Sequence, residues 1–291
     1  MATLKQIRRR IASTKSTQKI TRAMKLVAAA KLRRAQMNME KAKPYASRIR
    51  DVIFDLAQHT ERESHPLLAI RPEKKALLVV ITSDRGLCGA FNSNIVRRAE
   101  RYLKQNEGGH EEVSLALIGR KGRDYFRRRS FPIRKEYMEV LSAPTLDRCA
   151  EIGREVIAEF VDGGLDAVYL VYNEFKSAVA QQVVVEKLLP IAPESDWAIE
   201  GHGPDAADFE YEPSRQAILD AVLPLYVNVR LYFAVLESLA AEMGARMTAM
   251  ENATNNAGEM IRVLTLQFNK ARQAAITKEM LEIVGGAEAM K

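Results

Sequence analysis

Apolar residues recur along the last quarter of the chain at alternating steps of four and three. The series is Val229, Phe233, Leu236, Ala240, Met243, Met247 and Met250, then Thr254, Ala257, Ile261, Leu264, Phe268, Ala271 and Ala275. Thr254 is its one polar member. A repeat averaging 3.5 residues, sustained without proline, predicts a long helix in a left-handed coiled coil. This helix is expected to begin near Ser214, to bend at Pro224 and to stop at Gly285-Gly286. At ~1.5 Å per residue it is roughly 100 Å long, so its seam needs a partner of similar length.

The other end of the chain supplies one. Ala28, Leu32, Ala35, Met39, Ala42, Ala46, Ile49, Ile53 and Leu56 keep the same rhythm, and Leu4, Ile7, Ile11 and Thr14 precede them. The apolar phase slips between Thr14 and Ile20, which predicts a loose place in the seam. The first helix is expected over residues 4–58, with Pro44 off the stripe and bending rather than ending it. Both helices must leave the same central domain, so they should pair antiparallel.

Between them the period changes. Residues 76–81, 113–118 and 167–172 are short continuous apolar runs, as buried parallel strands require. Residues 131–137 and 182–189 are weaker strand candidates, the second pairing with or near 167–172. Helical patterns fill 92–105, 119–129 and 145–161. Strand alternating with helix predicts an α/β layer, Rossmann-like, with a mostly parallel sheet. The expected division is an N-terminal coiled-coil helix over 1–58, an inserted α/β domain over 74–200, and a C-terminal coiled-coil helix over 210–291.

Charge changes the picture. Residues 1–50 hold fifteen Lys or Arg against Glu40 alone, a net +14, while the whole chain carries +7. The rest of the chain is therefore net acidic, and the first helix calls for an acidic partner. No stretch approaches ~18 consecutive apolar residues, so no bilayer span is expected, and no apolar leader opens the chain. Cys88 and Cys149 lack metal-ligand or CxxC spacing and read as free thiols.

In an α/β layer the loops that follow strands are where a ligand site would lie. Residues 83–92, SDRGLCGAFN, stand where a phosphate loop would lie, yet Gly86 and Gly89 match neither GxGxxG nor GxxxxGK[ST]. Gly119-Arg-Lys-Gly122 fails equally, and both read as structural turns. His59, His65, His110 and His202 fall in linkers or loops without metal or triad spacing; Asp84, Asp124 and Asp147 read as turn or cap residues. No catalytic, cofactor-binding or metal residue is assigned. Two binding readings remain: a basic coiled-coil nucleic-acid binder or scaffold, and a mechanical subunit engaging other chains. The basic stretch has no aromatic before Tyr45, which weakens the first.

Several stretches carry a resemblance that sharpens the second. ITKEMLEIVGGAEA (276–289) resembles the signature of the gamma subunit of rotary (F-type) ATP synthases, bacterial type. ITRAMKLVAAAKLRRAQ (20–36), RMTAMENATNNA (246–257), NKARQAAIT (269–277), SDRGLCGAFN and Tyr211-Glu-Pro213 are also similar to that family. The resemblance implies a non-catalytic central shaft in a complex that synthesises and hydrolyses ATP. Its partners would be the alpha and beta subunits of the catalytic ring, the epsilon subunit and the membrane c-ring, on the cytoplasmic face of a bacterial membrane. It implies no cofactor, no nucleic acid and no span of its own. By the same resemblance Met24 and Lys25 match the contact with an acidic loop of the beta subunit. Arg246, Arg272 and Gln273 match C-terminal positions of that network, and Glu212 a position near the rotor ring. The family's plastid members carry a cysteine-bearing insert; the 191–209 loop has no cysteine, so thiol switching is not expected.

Overall fold

The computed structural model of the protein describes residues 3–58, 65–105, 108–178, 180–191, 212 and 214–289. Helix α1 runs Leu4–Gln58 and helix α5 runs Arg215–Ala289. Between them lie β1 (Lys75–Ile81), α2 (Phe91–Gln105), β2 (Glu112–Ile118), α3 (Arg120–Arg127), β3 (Ile133–Tyr137), α4 (Leu146–Val161), β4 (Ala167–Phe175) and β5 (Gln181–Leu189). The chain forms two compact units, Ala30–Ala245 and the pair Met1–Ala29 with Arg246–Lys291. Each is described by itself.

The larger unit is built on a five-stranded sheet in the order β3-β2-β1-β4-β5. The first four strands are parallel and β5 returns antiparallel beside β4. Central β1 places Leu77, Leu78, Val79, Val80 and Ile81 wholly inside, because helices cover both faces of a parallel sheet. From α5, Leu219, Leu223, Val227, Leu231 and Val235 join this core; from α1, Ile49, Ile53 and Leu56 do. A second cluster joins Leu32 and Ala35 to Ala240 and Met243, which is the expected seam. The sequence pattern showed α5 as a one-sided stripe. In this stretch the helix is enclosed nearly all round, since it meets α1 on one side and the sheet on another. The apolar window this creates in α5 is long enough, by composition alone, to cross a bilayer. A core helix passes the same test, and 39% of that window is buried inside the protein.

The smaller unit is a two-helix antiparallel coil. Contacts step backwards along α5 as they step forwards along α1: Thr14 to Met260, Thr21 to Thr254, Lys25 to Glu251. Helix α1 begins where a reciprocal cap allows. Thr3 Oγ1 accepts from the Gln6 amide at 3.4 Å and Gln6 Oε1 accepts from the Thr3 amide at 3.0 Å. Ser214 caps α5, its Oγ accepting from the Ala217 amide at 3.3 Å.

Two expectations need correction. Helix α5 does not stop at Gly285-Gly286 but continues to Ala289. Glycine permits a left-handed stop without compelling it, and nothing packs within 4 Å of where a side chain would stand on either residue. The phase slip near Thr14 is also absent. Half-buried and buried positions continue through Gln18, Thr21, Lys25 and Ala28 with unbroken steps of four and three, while Ile20 is 56% exposed. The seam does not loosen there; it turns polar. Pro44 and Pro224 both lie inside their helices, as expected. Residues 192–209 of the expected 191–209 loop lie outside the described residues, together with His59, His202, Tyr211 and Pro213.

Candidate partner-contact site

The carboxyl end of the sheet is where a doubly wound fold would hold a phosphate. Here the chain's own atoms occupy the first turn of α3. The Arg120 amide donates to Asp84 Oδ1 at 3.1 Å, the Lys121 amide to the Ser83 carbonyl at 3.0 Å, and the Gly122 amide to Thr82 Oγ1 at 2.8 Å. Gly119 has φ 93°, and a Cβ on it would fall 2.0 Å from the Thr82 carbonyl oxygen. Its glycine is therefore demanded by close backbone approach, not by a ligand. The 83–89 loop is closed by Asn92, whose Oδ1 accepts from the Ser83 amide at 2.9 Å and whose Nδ2 donates to Ser83 Oγ at 2.8 Å. Both glycine-bearing turns are structural, as their spacing indicated.

The candidate nucleophiles and bases are equally committed. Burial pushes the Cys149 thiol up to about 12, and Cys88 is buried beside Asn92. A thiol so raised is a poor nucleophile. His65 accepts from the Leu67 amide through Nδ1, and burial lowers its pKa. His110 is buried between the Tyr102 hydroxyl at 3.0 Å and the Glu73 carbonyl at 2.8 Å. Among the described residues no group of three or more His, Cys, Asp or Glu could hold a metal ion.

The residues singled out for partner contact fall in both units. In the smaller unit Met24 is half-buried, Lys25 lies on the seam, Arg246 is half-buried, and Arg272 and Gln273 are exposed. Glu212 is exposed and belongs to the larger unit. The structure places five of the six in the smaller unit and one in the larger. It does give Lys25 a partner within the chain: Glu251 Oε1 lies 2.5 Å from Lys25 Nζ, the two side chains being 35% and 47% exposed. Beside this pair the Thr21 and Thr254 hydroxyls meet at 2.7 Å, Thr254 donating in turn to the Met250 carbonyl. Gln18 Nε2 reaches the Thr254 carbonyl at 3.4 Å, opposite Gly258, where a Cβ would lie 3.0 Å from that nitrogen. Sequence reading missed Gln18, Thr21 and Glu251 as seam residues. The available signal was Thr254 itself, a polar member of an otherwise apolar series that calls for a polar partner across the seam.

An antiparallel coil of the two chain ends, joined to a doubly wound sheet whose phosphate end is closed by its own side chains, defines a coiled-coil structural subunit. Comparison with known proteins makes the class specific. The family model described as ATP synthase matches residues 3–290. ATP synthase gamma chains from Sorangium cellulosum and Anaeromyxobacter sp. are 49% and 51% identical, each over the full length of both chains. Among solved structures, the central stalk and c-ring of Tetrahymena thermophila mitochondrial ATP synthase contains a chain 29% identical, with a TM-score of 0.60. That match covers 80% of this chain and 99% of that one. A chain of the Euglena gracilis mitochondrial ATP synthase is 21% identical with a TM-score of 0.68, covering 99% and 94%, and shares the fold. The chain belongs to the ATP synthase gamma chain family. It is a non-catalytic subunit of that complex, its central rotor shaft, in the part attached to the membrane. Nothing in these comparisons supports the nucleic-acid-binding alternative.

Proposed function

We propose that this shaft couples turning of a membrane c-ring to conformational cycling of nucleotide sites on a surrounding ring of alpha and beta subunits. The epsilon subunit and the c-ring engage its foot, on the cytoplasmic face of a bacterial membrane. Residues 1–58 and 210–291 serve as the paired shaft helices and 74–200 as the inserted α/β domain. Met24, Lys25, Arg246, Arg272 and Gln273 contact the beta subunits, and Glu212 lies toward the rotor ring. Asymmetry of the shaft surface stabilises a different state at each site through differential contacts, so rotation redistributes those states.

The observation that carries this reading is the full-length match to ATP synthase gamma chains, spanning both helical ends and the sheet. The far end of α5 supports it. Met280, Leu281, Ile283 and Val284 are each more than 60% exposed there. An apolar collar resists turning little, whereas fixed ion pairs would hold one angle. The test places cysteine at Glu212 or at Val284 and crosslinks each to a static subunit in the assembled complex. The Glu212 crosslink is expected to abolish ATP hydrolysis; the Val284 crosslink is expected to be tolerated better, because a terminal helical turn can unwind and swivel. Unchanged hydrolysis after locking Glu212 defeats the rotating-shaft reading.

A further inference from the structure

We propose that Glu251 regulates how firmly Lys25 grips the surrounding ring, its carboxylate competing with the partner's for one ammonium group. The proposal rests on the partner-contact reading of Lys25. Three observations carry it. Lys25 occupies a seam position and pairs with Glu251, yet the two side chains remain 35% and 47% exposed, so the pair is open to solvent. An ammonium has three donors, and one bond to Glu251 leaves others for a second carboxylate. The juxtaposition is also built. The Thr21–Thr254 contact and the Gln18 bond to the Thr254 carbonyl, about one turn away, fix the register that sets Glu251 opposite Lys25. A polar layer of this kind specifies alignment in a coiled coil.

The local charge makes the carboxylate's place consequential. Residues 3–29 carry no acidic side chain, while Arg22, one turn before Lys25, and Lys19, a turn before that, stand exposed. Glu251 is the carboxylate that meets this ammonium. With Glu251 in place, a ring carboxylate must draw Lys25 from a bond already made, and Lys25 returns to that bond when the shaft turns on. The contact is then an exchange between two near-equal partners, cheap to make and cheap to break. Without Glu251, no other carboxylate among the described residues pairs with Lys25, and each step would have to break its contact with the ring outright.

The test uses the assembled ATP synthase with Glu251→Gln, Lys25→Ala and the two together. ATP hydrolysis, ATP-driven ion pumping and the ionic-strength dependence of both are measured, with thermal stability of the complex alongside. Glu251→Gln should slow hydrolysis about two- to fivefold at low salt, the scale of one exposed ion pair, with the deficit shrinking as salt is added. Lys25→Ala should change the ratio of pumping to hydrolysis and should erase the effect of Glu251→Gln. If Lys25→Ala alters that ratio but Glu251→Gln does nothing, Lys25 contacts the ring and the competition is wrong. If Lys25→Ala leaves the ratio unchanged, the contact reading itself fails and the proposal falls with it. An equal effect of Glu251→Gln in both backgrounds, or a loss confined to thermal stability, also overturns it.

Discussion

Arg230 offers the sharpest test of how the larger unit is held together. It reaches from α5 to β5, Nε donating to Glu186 Oε1 at 2.6 Å and Nη2 to the Tyr172 hydroxyl at 2.8 Å. A second Nη2 bond to Glu186 Oε2 makes the pair two-pronged. Replacing Arg230 by methionine keeps an apolar stem of similar reach but strands the carboxylate. Removing one partner of a fully buried pair costs about 3–5 kcal/mol. Here the side chains remain 25% and 31% exposed, so water relieves part of the penalty and about 2–3 kcal/mol is expected. In urea, at about 2–3 kcal/mol per molar, the midpoint should fall by about 1 M. Adding Glu186→Gln removes the stranded charge and should restore about half the loss, which a double-mutant cycle reads directly. The assay is urea unfolding of the purified chain followed by far-ultraviolet circular dichroism. If the double variant is no more stable than Arg230→Met alone, the penalty does not come from the uncompensated Glu186 carboxylate, and the Arg230–Glu186 pair is not what fastens α5 to the sheet edge.

Three further outcomes are expected. A Cβ on Gly153 would stand 2.1 Å from Asn228 Oδ1, so Gly153→Ala should destabilise by about 1–3 kcal/mol; with Asn228→Ala added it should become neutral or stabilising, by the helix propensity of alanine, and persistent loss there refutes the close-approach explanation. Burial raises the Glu237 pKa against the opposing pull of Arg230. A carboxyl whose folded pKa lies above the unfolded one contributes stability below the unfolded value and loses it as pH rises through the folded one. Glu237→Gln should therefore gain on the parent as pH rises above about 4, the unfolded value, and a flat or falling difference in melting temperature contradicts this. Met24→Lys adds a cation beside Lys25 and Arg22. In the assembled complex it should reduce ion pumping more than ATP hydrolysis, whereas proportionate losses would remove Met24 from the contact.

What could be read ahead depended on whether one element or two had to be known. The apolar series placed α1 at Leu4–Gln58 and the strands within three residues at each end, because burial of one face is written in a helix's or strand's own period. The hairpin of β4 with β5 was visible as two strands, but its antiparallel direction rests on a short turn whose geometry the sequence does not display. Gln18, Thr21 and Lys25 were lost because the seam was tracked by hydrophobicity, and at these positions contact is made by hydrogen bonds and charge. Glu251 could not be paired with Lys25 until the register of the two helices was known. The sites show the same divide. Exposure at Arg272, Gln273 and Glu212 is legible in either source, while what each touches belongs to chains outside this one.

The closed first turn of α3 has a consequence for a protein working beside nucleotide sites. A doubly wound sheet ordinarily advertises free amides to phosphate. In this one Thr82, Ser83 and Asp84 answer those amides from within the chain, so α3 makes no claim on the pool that its complex fills and drains. The first turn of α3 is completed by side-chain and backbone atoms of residues 82–84, so its folding does not wait on a phosphate. A driveshaft that softened or stiffened with its own product would distort the cycle it transmits, and these three amides are already spoken for.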